Sequence, residues 1–298
     1  MKTGFSSGDI MVDRRADYAR GLLEAGEHDA ACDLMADAMA LAPQWAAGWF
    51  RLGEMCEGAG RRAAAVEAYA RALALDGSDR LGAALKLELL GGEKAAMPAA
   101  FIETLFDQYA DGFEESLLAK LDYRAPQLLF AAPEAAKALP AAKALDLGCG
   151  TGLMGERLRP LVGRLEGMDL SGRMLAKASA KGIYDNLIHR DLASGDLGSG
   201  YDLAVAADVM MYVGSLDNVF SALNAALLPG GWIAFSAEKS PRADGLELRE
   251  SRRYAHGESL VAEALRNAGF HLQTMETAMI RLDRGQAIDG LIVVARRS

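Results

Sequence analysis

At 298 residues, with 51% apolar and 24% charged side chains, the chain can hold one large α/β domain and a smaller one, and wholesale disorder is excluded. A formal charge of -9 and a pI near 5.1 argue against nucleic acid or anionic lipid as the main partner, because an acidic surface repels both. Cys32, Cys56 and Cys149 are widely spaced without a CxxC pair, which reads as reduced thiols of a cytoplasmic protein, with no disulfide framework and no metal site.

The N-terminus shows no apolar signal core, and no window has the apolar length needed to span a bilayer, so the expected location is the cytoplasm. The first ninety residues are rich in Ala, Leu, Arg and Glu and helical in period. Shifted by 34 positions they superimpose on themselves: Ala19 on Gly53, Ala31 on Ala65, Met35 on Tyr69, Ala38 on Ala72, Leu41 on Leu75. Breaks fall at Glu24–His28, Pro43, Gly58–Gly60 and Asp76–Ser78. Trp49, Leu52, Gly53, Ala65, Tyr69 and Ala72 in one frame resemble the tetratricopeptide repeat, in which small residues let paired helices approach while large ones fill the flanks. The first copy lacks the Trp-Leu-Gly signature, and Gly77 stands where proline is usual. The resemblance implies an all-α repeat domain over residues 1–92, with a capping helix over Arg80–Leu90 and a surface for a protein partner.

Gly91–Pro98 reads as a linker, and Phe101–Leu121 as a helix with Phe106, Tyr109 and Phe113 on one face. From Ala142 the texture alternates between strand and helix, the mark of a largely parallel sheet covered on both faces. Strands are expected at Ala144–Leu147, Arg164–Met168, Asn186–His189, Leu203–Ala206 and Trp232–Ser236, the last entered by a turn at Leu228–Trp232. Helices are expected at Gly152–Leu161, Gly172–Lys181, Leu216–Leu227 and Ser259–Asn267. His271–Leu282 and Ala287–Val294, joined at Asp283-Arg-Gly285, should pair antiparallel.

Asp146-Leu-Gly-Cys-Gly-Thr-Gly152 ends a buried strand and opens a helix. Gly148, Gly150 and Gly152 remove Cβ atoms where the backbone must pass close to a ligand, and a nucleotide-like molecule beyond the strand ends is the default. The dinucleotide fingerprint needs glycine three positions after Gly150, where Leu153 stands, and Asp146 would repel a pyrophosphate. A nicotinamide-dependent oxidoreductase is therefore disfavoured. S-adenosylmethionine carries a sulfonium and an ammonium and no phosphate, so the acid suits it. The spacing resembles the first motif of class I S-adenosylmethionine-dependent methyltransferases, over about Ala144–Val294.

Three further acids stand after successive strands. Asp169 is spaced to accept both ribose hydroxyls, with Ser171 capping the next helix, and Asp191 to accept from the adenine amino group, with Leu170 and Leu192 sandwiching the base. Asp208 follows the fourth strand and is placed with the cofactor-binding residues. The resemblance implies a Rossmann-like sheet of seven strands with an antiparallel last strand over residues 99–298, and Tyr109 near the methionine end, with Phe113 and Tyr123 as further aromatics there. Repeats followed by Phe106–Phe113 and this domain look like a bacterial group of repeat-containing methyltransferases with no assigned substrate.

On the acceptor side the candidate bases are His256 and Tyr212, with Asp208 beside them; His256 equally reads as a cap of the following helix. Arg242, Arg252 and Arg253 are candidates for an anionic acceptor. Ala207–Tyr212 holds no proline, which argues against methylation of nucleobase amino groups. The resulting expectation is methyl transfer to a small molecule or a protein side chain. Its rival is a repeat-based adaptor whose cofactor-binding domain does no chemistry.

Overall fold

The computed structural model describes residues 5–114, 123–283 and 285–298, so the end of the expected 101–121 helix and Arg284 of the expected turn lie outside the described residues. The chain divides into two compact units, residues 1–101 and 102–298. The dividing point falls inside a helix rather than in the glycine-rich linker.

The first unit is all helical: α1 (Ile10–Glu24), α2 (His28–Leu41), α3 (Ala46–Gly58), α4 (Arg62–Leu75) and α5 (Ala83–Leu89), followed by α6 (Ala99–Tyr109), which crosses the dividing point. Consecutive helices pack on one another, α1 on α2, α2 on α3 and α3 on α4. Ala19, Ala31, Met35, Ala38, Ala65, Tyr69 and Ala72 are all buried. Gly53 is needed for the α3–α4 contact, because a Cβ there would lie 2.6 Å from the Tyr69 ring. Two parts of the repeat reading differ. Leu41 is 59% exposed, and the buried tryptophan is Trp45, while Trp49 lies partly open with its ring N–H on the Pro43 carbonyl at 2.9 Å.

The thiol reading is corrected. Cys32 and Cys56 form a disulfide between α2 and α3, with Cα atoms 5.2 Å apart, and only Cys149 is free. The residues lie 24 positions apart in sequence, and the packing of α2 on α3 brings them together. Among the described residues no helix is long and apolar enough to cross a membrane.

Among the described residues, the second unit is a nine-stranded mixed sheet with helices. The strands are β1 (Ala141–Leu147), β2 (Val162–Asp169), β3 (Asn186–His189), β4 (Tyr201–Ala206), β5 (Leu227–Lys239), β6 (Leu246–Leu248), β7 (Tyr254–His256), β8 (Phe270–Asp283) and β9 (Gln286–Arg297). The helices are α7 (Ala125–Ala135), α8 (Leu153–Leu158), α9 (Gly172–Ala180), α10 (Asp217–Ala226) and α11 (Glu258–Asn267). The five parallel strands run β3-β2-β1-β4-β5, and β9 joins β5 antiparallel with β8 outside it.

Nine strands rather than seven arise because a short hairpin, β6–β7, extends the far end of β5 at Glu238 and Lys239. Three residues per strand are too few to show a period-two pattern, so this hairpin is silent in the sequence. The turn expected at Leu228–Trp232 is instead an irregularity inside β5, where Tyr201 pairs with Leu227 and Leu203 already with Trp232. Apolar strands pack on both sheet faces, with Leu145, Leu147, Phe220 and Phe235 in one cluster and Ala144, Leu165, Leu203 and Val294 in another. That layering places the ends of β1, β2, β3 and β4 along one edge, which is where the loops that matter leave the sheet.

Candidate active site

The glycine loop leaves β1 after Leu147 and enters α8 at Leu153. Gly148, Gly150 and Gly152 all have positive φ, at 65°, 54° and 95°, a region that side-chain-bearing residues adopt only with strain. A Cβ on Gly148 would fall 2.3 Å from Val209, so this glycine is also required by the approach of the β4 exit loop. The backbone ties are local: Cys149 N–H donates to the Met168 carbonyl at 3.0 Å, and Gly152 N–H to that of Cys149 at 2.8 Å.

Asp169, the last residue of β2, fixes this loop from the side. One carboxylate oxygen accepts the Gly150 N–H and the other accepts the Ser171 N–H, each at 2.8 Å. Burial pushes the Asp169 carboxyl above its usual range, and the N–H groups of Ser171, Gly150 and Leu170 pull the other way. A carboxylate has about four acceptor positions. The N–H groups of Gly150, Ser171 and Leu170 take up part of that capacity. Ser171 caps α9 as expected, its hydroxyl accepting from Met174 N–H at 3.1 Å.

Asp146 does something the sequence did not suggest. It is 1% exposed, and its carboxylate accepts the Tyr184 hydroxyl at 2.6 Å. Burial raises its pKa to about 7, the Tyr184 bond lowers it, and the Asp169 charge raises it further. Asp146 thus supports the loop from beneath and is partly neutral near pH 7, rather than presenting a full charge to a cationic ligand. Tyr184 had no sequence signal, because it lies 38 residues away between α9 and β3.

The other expected residues are distributed as follows. Asp191 sits after β3 and caps a three-residue 3-10 turn, accepting from Ala193 N–H at 2.8 Å. Leu170 and Leu192 are both half-buried, after β2 and β3 respectively. His189 donates through Nε2 to the Leu170 carbonyl at 2.7 Å, which ties the loops after β2 and β3 together. Asp208 has a positive φ of 56°, and its carboxylate is already occupied by the Ser236 hydroxyl at 3.1 Å and Arg281 Nη1 at 2.9 Å. Burial raises the Asp208 carboxyl and Arg281 opposes that rise. Asp208 therefore anchors Arg281.

The segment 106–114 lies against α9. Asp107 accepts the Ser171 hydroxyl at 2.6 Å, Arg173 donates to the Asp107 carbonyl and pairs with Asp111 at 2.6 Å, and Lys181 pairs with Glu114 at 2.6 Å. This pinning brings Phe113 to the glycine loop, where a Cβ on Gly150 would lie 3.8 Å from its ring. Phe113 meets Phe106 edge-on at 6.0 Å, and Phe106 meets Tyr212 edge-on at 5.4 Å. Tyr109 is 57% exposed. Tyr123 is buried near Asp208, Arg281 and Asp146, and burial drives its hydroxyl well above the usual pKa.

His256 lies on β7, fully buried. Its Nε2 donates to the carbonyls of Val213 and Gly214 at 2.9 and 3.2 Å, which leaves Nδ1 unprotonated and without a partner among the described residues. Burial lowers its pKa, so the ring is neutral at pH 7. It is not a helix cap, since Gly257 holds that position without any side-chain bond.

A glycine loop at the strand ends, an acid at the end of β2 and Leu153 in place of the dinucleotide glycine are the features expected of a site for an adenosyl sulfonium. The comparisons with known proteins agree. The family described as "Methyltransferase domain" matches residues 145–233. The chain is 32% identical over 101 residues to the ubiquinone biosynthesis O-methyltransferase of Burkholderia vietnamiensis, covering 32% of this chain and 43% of that protein. The enzyme of the same name from Burkholderia thailandensis is 29% identical over 105 residues, covering 33% and 45%. The chain thus matches less than half the length of these curated relatives.

Among solved structures, the 1,6-didemethyltoxoflavin-N1-methyltransferase of Burkholderia thailandensis, with bound 1,6-didemethyltoxoflavin and S-adenosylhomocysteine, aligns with a TM-score of 0.55 at 19% identity. That alignment covers 69% of this chain and 92% of the other, and it shows the fold. The stretch 145–233 is an S-adenosylmethionine-dependent methyltransferase domain of class I.

Proposed function

We propose that the protein transfers a methyl group from S-adenosylmethionine to a small-molecule or protein acceptor, with the N-terminal helices as a tetratricopeptide-like docking module for a protein partner. The observation that carries the donor half is the Asp169–Gly150 bond, which makes the glycine loop and the ribose acid one preformed surface. Support for the docking half is narrower: the 34-residue self-similarity and the buried small residues at Gly53 and Ala65.

In this reading Asp169 accepts the ribose hydroxyls, Asp191 accepts from the adenine amino group, and Leu170 with Leu192 flank the base. The donor, when bound, supplies an electrophilic methyl carbon on a sulfonium. The chain's part is to hold the acceptor in line with it and to exclude water, tasks suited to Phe113, Phe106 and Tyr212. Tyr212 stands at the end of this aromatic row, and His256 secures β7 to the loop after β4 while keeping a free basic nitrogen. Tyr212 is therefore the group we place against the acceptor, with His256 behind it.

The test is turnover. Full-length protein incubated with methyl-labelled S-adenosylmethionine and a metabolite extract should move label into acceptor as S-adenosylhomocysteine accumulates in step. Tight cofactor binding with no turnover on metabolite or protein extracts would instead favour the adaptor.

A further inference from the structure

We infer that the outer face of α1 is a self-association surface, on which a second copy of this chain lays its own α1 antiparallel, centred on Ala16. The inference does not depend on the methyl-transfer reading above. Helix α1 is apolar on two sides. Val12, Ala16 and Ala19 are buried within its own unit. On the opposite side Met11, Arg14, Tyr18 and Gly21 follow at intervals of three, four and three, which makes them one stripe along the helix. Met11 is 62% exposed and Tyr18 68%, and Ile10, at the edge of the stripe, is 67% exposed. Single exposed apolar residues are ordinary, but three together on one helix face form a patch.

The 34-residue self-similarity indicates what kind of element covers such a stripe. Shifted by 34 positions, Met11 falls on Trp45 at the start of α3, and Arg14, Tyr18 and Gly21 fall on Gly48, Leu52 and Met55 within it. Those residues face the preceding helix. Trp45, Leu52 and Met55 are buried, and a Cβ on Gly48 would lie 2.5 Å from Met39 of α2. The adjacent Leu22 falls on Cys56, which is bonded to Cys32 of α2. Helix α3 therefore buries against α2 the stripe that α1 turns to solvent. The end helix of a stack ordinarily carries a polar outer face, and this one does not. The element that fits it is another helix.

Complementarity of the stripe with itself selects a copy of α1. In the antiparallel register centred on Ala16, Met11 of one chain lies opposite Gly21 of the other, and Arg14 opposite Tyr18. Nothing stands within 4 Å of the place a Gly21 Cβ would take, so its own unit has no need of a glycine there. A glycine inside a helix is destabilising, and the notch it leaves accommodates the copy's Met11. Among the described residues Arg14 makes no ion pair. Its guanidinium can lie over the copy's Tyr18 ring and beside the copy's Asp17, whose contact within its own helix is an exposed 3.4 Å approach to Arg20. A two-fold axis makes each of these contacts twice and closes the assembly at two chains. One pair of 15-residue helices is a small interface, so the association is expected in the micromolar range.

The experiment is sedimentation equilibrium of the full-length chain. The wild type should pass from monomer toward dimer between about 1 and about 100 µM, while Tyr18→Glu stays monomeric. Arg14→Asp and Asp17→Arg each set like charges across the two-fold, and each alone should weaken association about tenfold or more. An equimolar mixture of these two variants should recover it, because opposite charges then meet at both contacts. Gly21→Gln puts a better helix former into open space, so it should fold as well as the wild type yet associate more weakly, and it carries the test if Tyr18→Glu fails to fold. A wild type that stays monomeric across this range overturns the inference. So does a dimer that survives both Tyr18→Glu and Gly21→Gln, which would place the interface elsewhere. A mixture of the charge variants that associates no better than either alone also overturns it.

Discussion

The N–H of Gly150 donates to the carboxylate of Asp169 over 2.8 Å, so the loop after β1 and the acid after β2 form one rigid piece. Asp169→Ala removes the brace on the loop and, in the proposed function, the acceptor of the ribose hydroxyls. Its affinity for S-adenosylhomocysteine should fall by about 1.5–3 kcal/mol, the scale of hydrogen bonds to a charged group. Calorimetric titration of the variant checks this, and an unchanged dissociation constant would remove Asp169 from the site.

Asp146 makes a pH-dependent contribution whose sign is set by burial. Its pKa rises from 3.8 to about 7 in the folded chain, so the folded state holds the proton more tightly than the unfolded one. The stability it lends is complete below the unfolded value and is lost as pH climbs through the folded one. Asp146→Asn, neutral at every pH, should therefore gain melting temperature relative to wild type between about pH 4 and about pH 8. Parallel melting curves across that window would show that Asp146 ionises normally.

Arg281 is the hub of a buried charge cluster, holding Asp208 and Glu238 at once. Arg281→Met leaves buried Asp208 without its cation and Glu238 with Arg249 alone, and the second unit should lose about 3–5 kcal/mol in chemical denaturation. A loss below about 1 kcal/mol would mean that water reaches the cluster freely.

In the helical unit, Gly53→Ala places a Cβ 2.6 Å from a Tyr69 ring that is buried and held by its hydroxyl on Glu57 at 2.8 Å. The ring cannot swing aside, so overpacking should destabilise that unit by about 1–3 kcal/mol, read as a lower first transition in calorimetry.

These sites also mark what a reader of the sequence could and could not see. The glycine loop, Asp169 and Asp191 were legible because each follows a strand with a clear apolar run, and strand ends are where such folds place their ligands. The approach of Phe113 to Gly150 was partly legible through the spacing of Phe106, Tyr109 and Phe113, although the family resemblance put Tyr109 ahead of Phe113. The Tyr184–Asp146 bond and the Arg281–Asp208 pair were not legible, since they join residues 38 and 73 positions apart. The Cys32–Cys56 bridge was hidden for the same reason, as only the packing of α2 on α3 reveals it. Helix α7 was obscured by Pro126 and Pro133, which read as breaks although the first sits harmlessly in its opening turn.

The central claim is that the loop and its acid bind an adenosyl sulfonium donor and not a dinucleotide. Parallel calorimetric titrations of the full-length protein with S-adenosylhomocysteine and with NAD test it most directly. Saturable binding of S-adenosylhomocysteine at one site per chain, with no heat from NAD, is the predicted result; binding of NAD alone would contradict it.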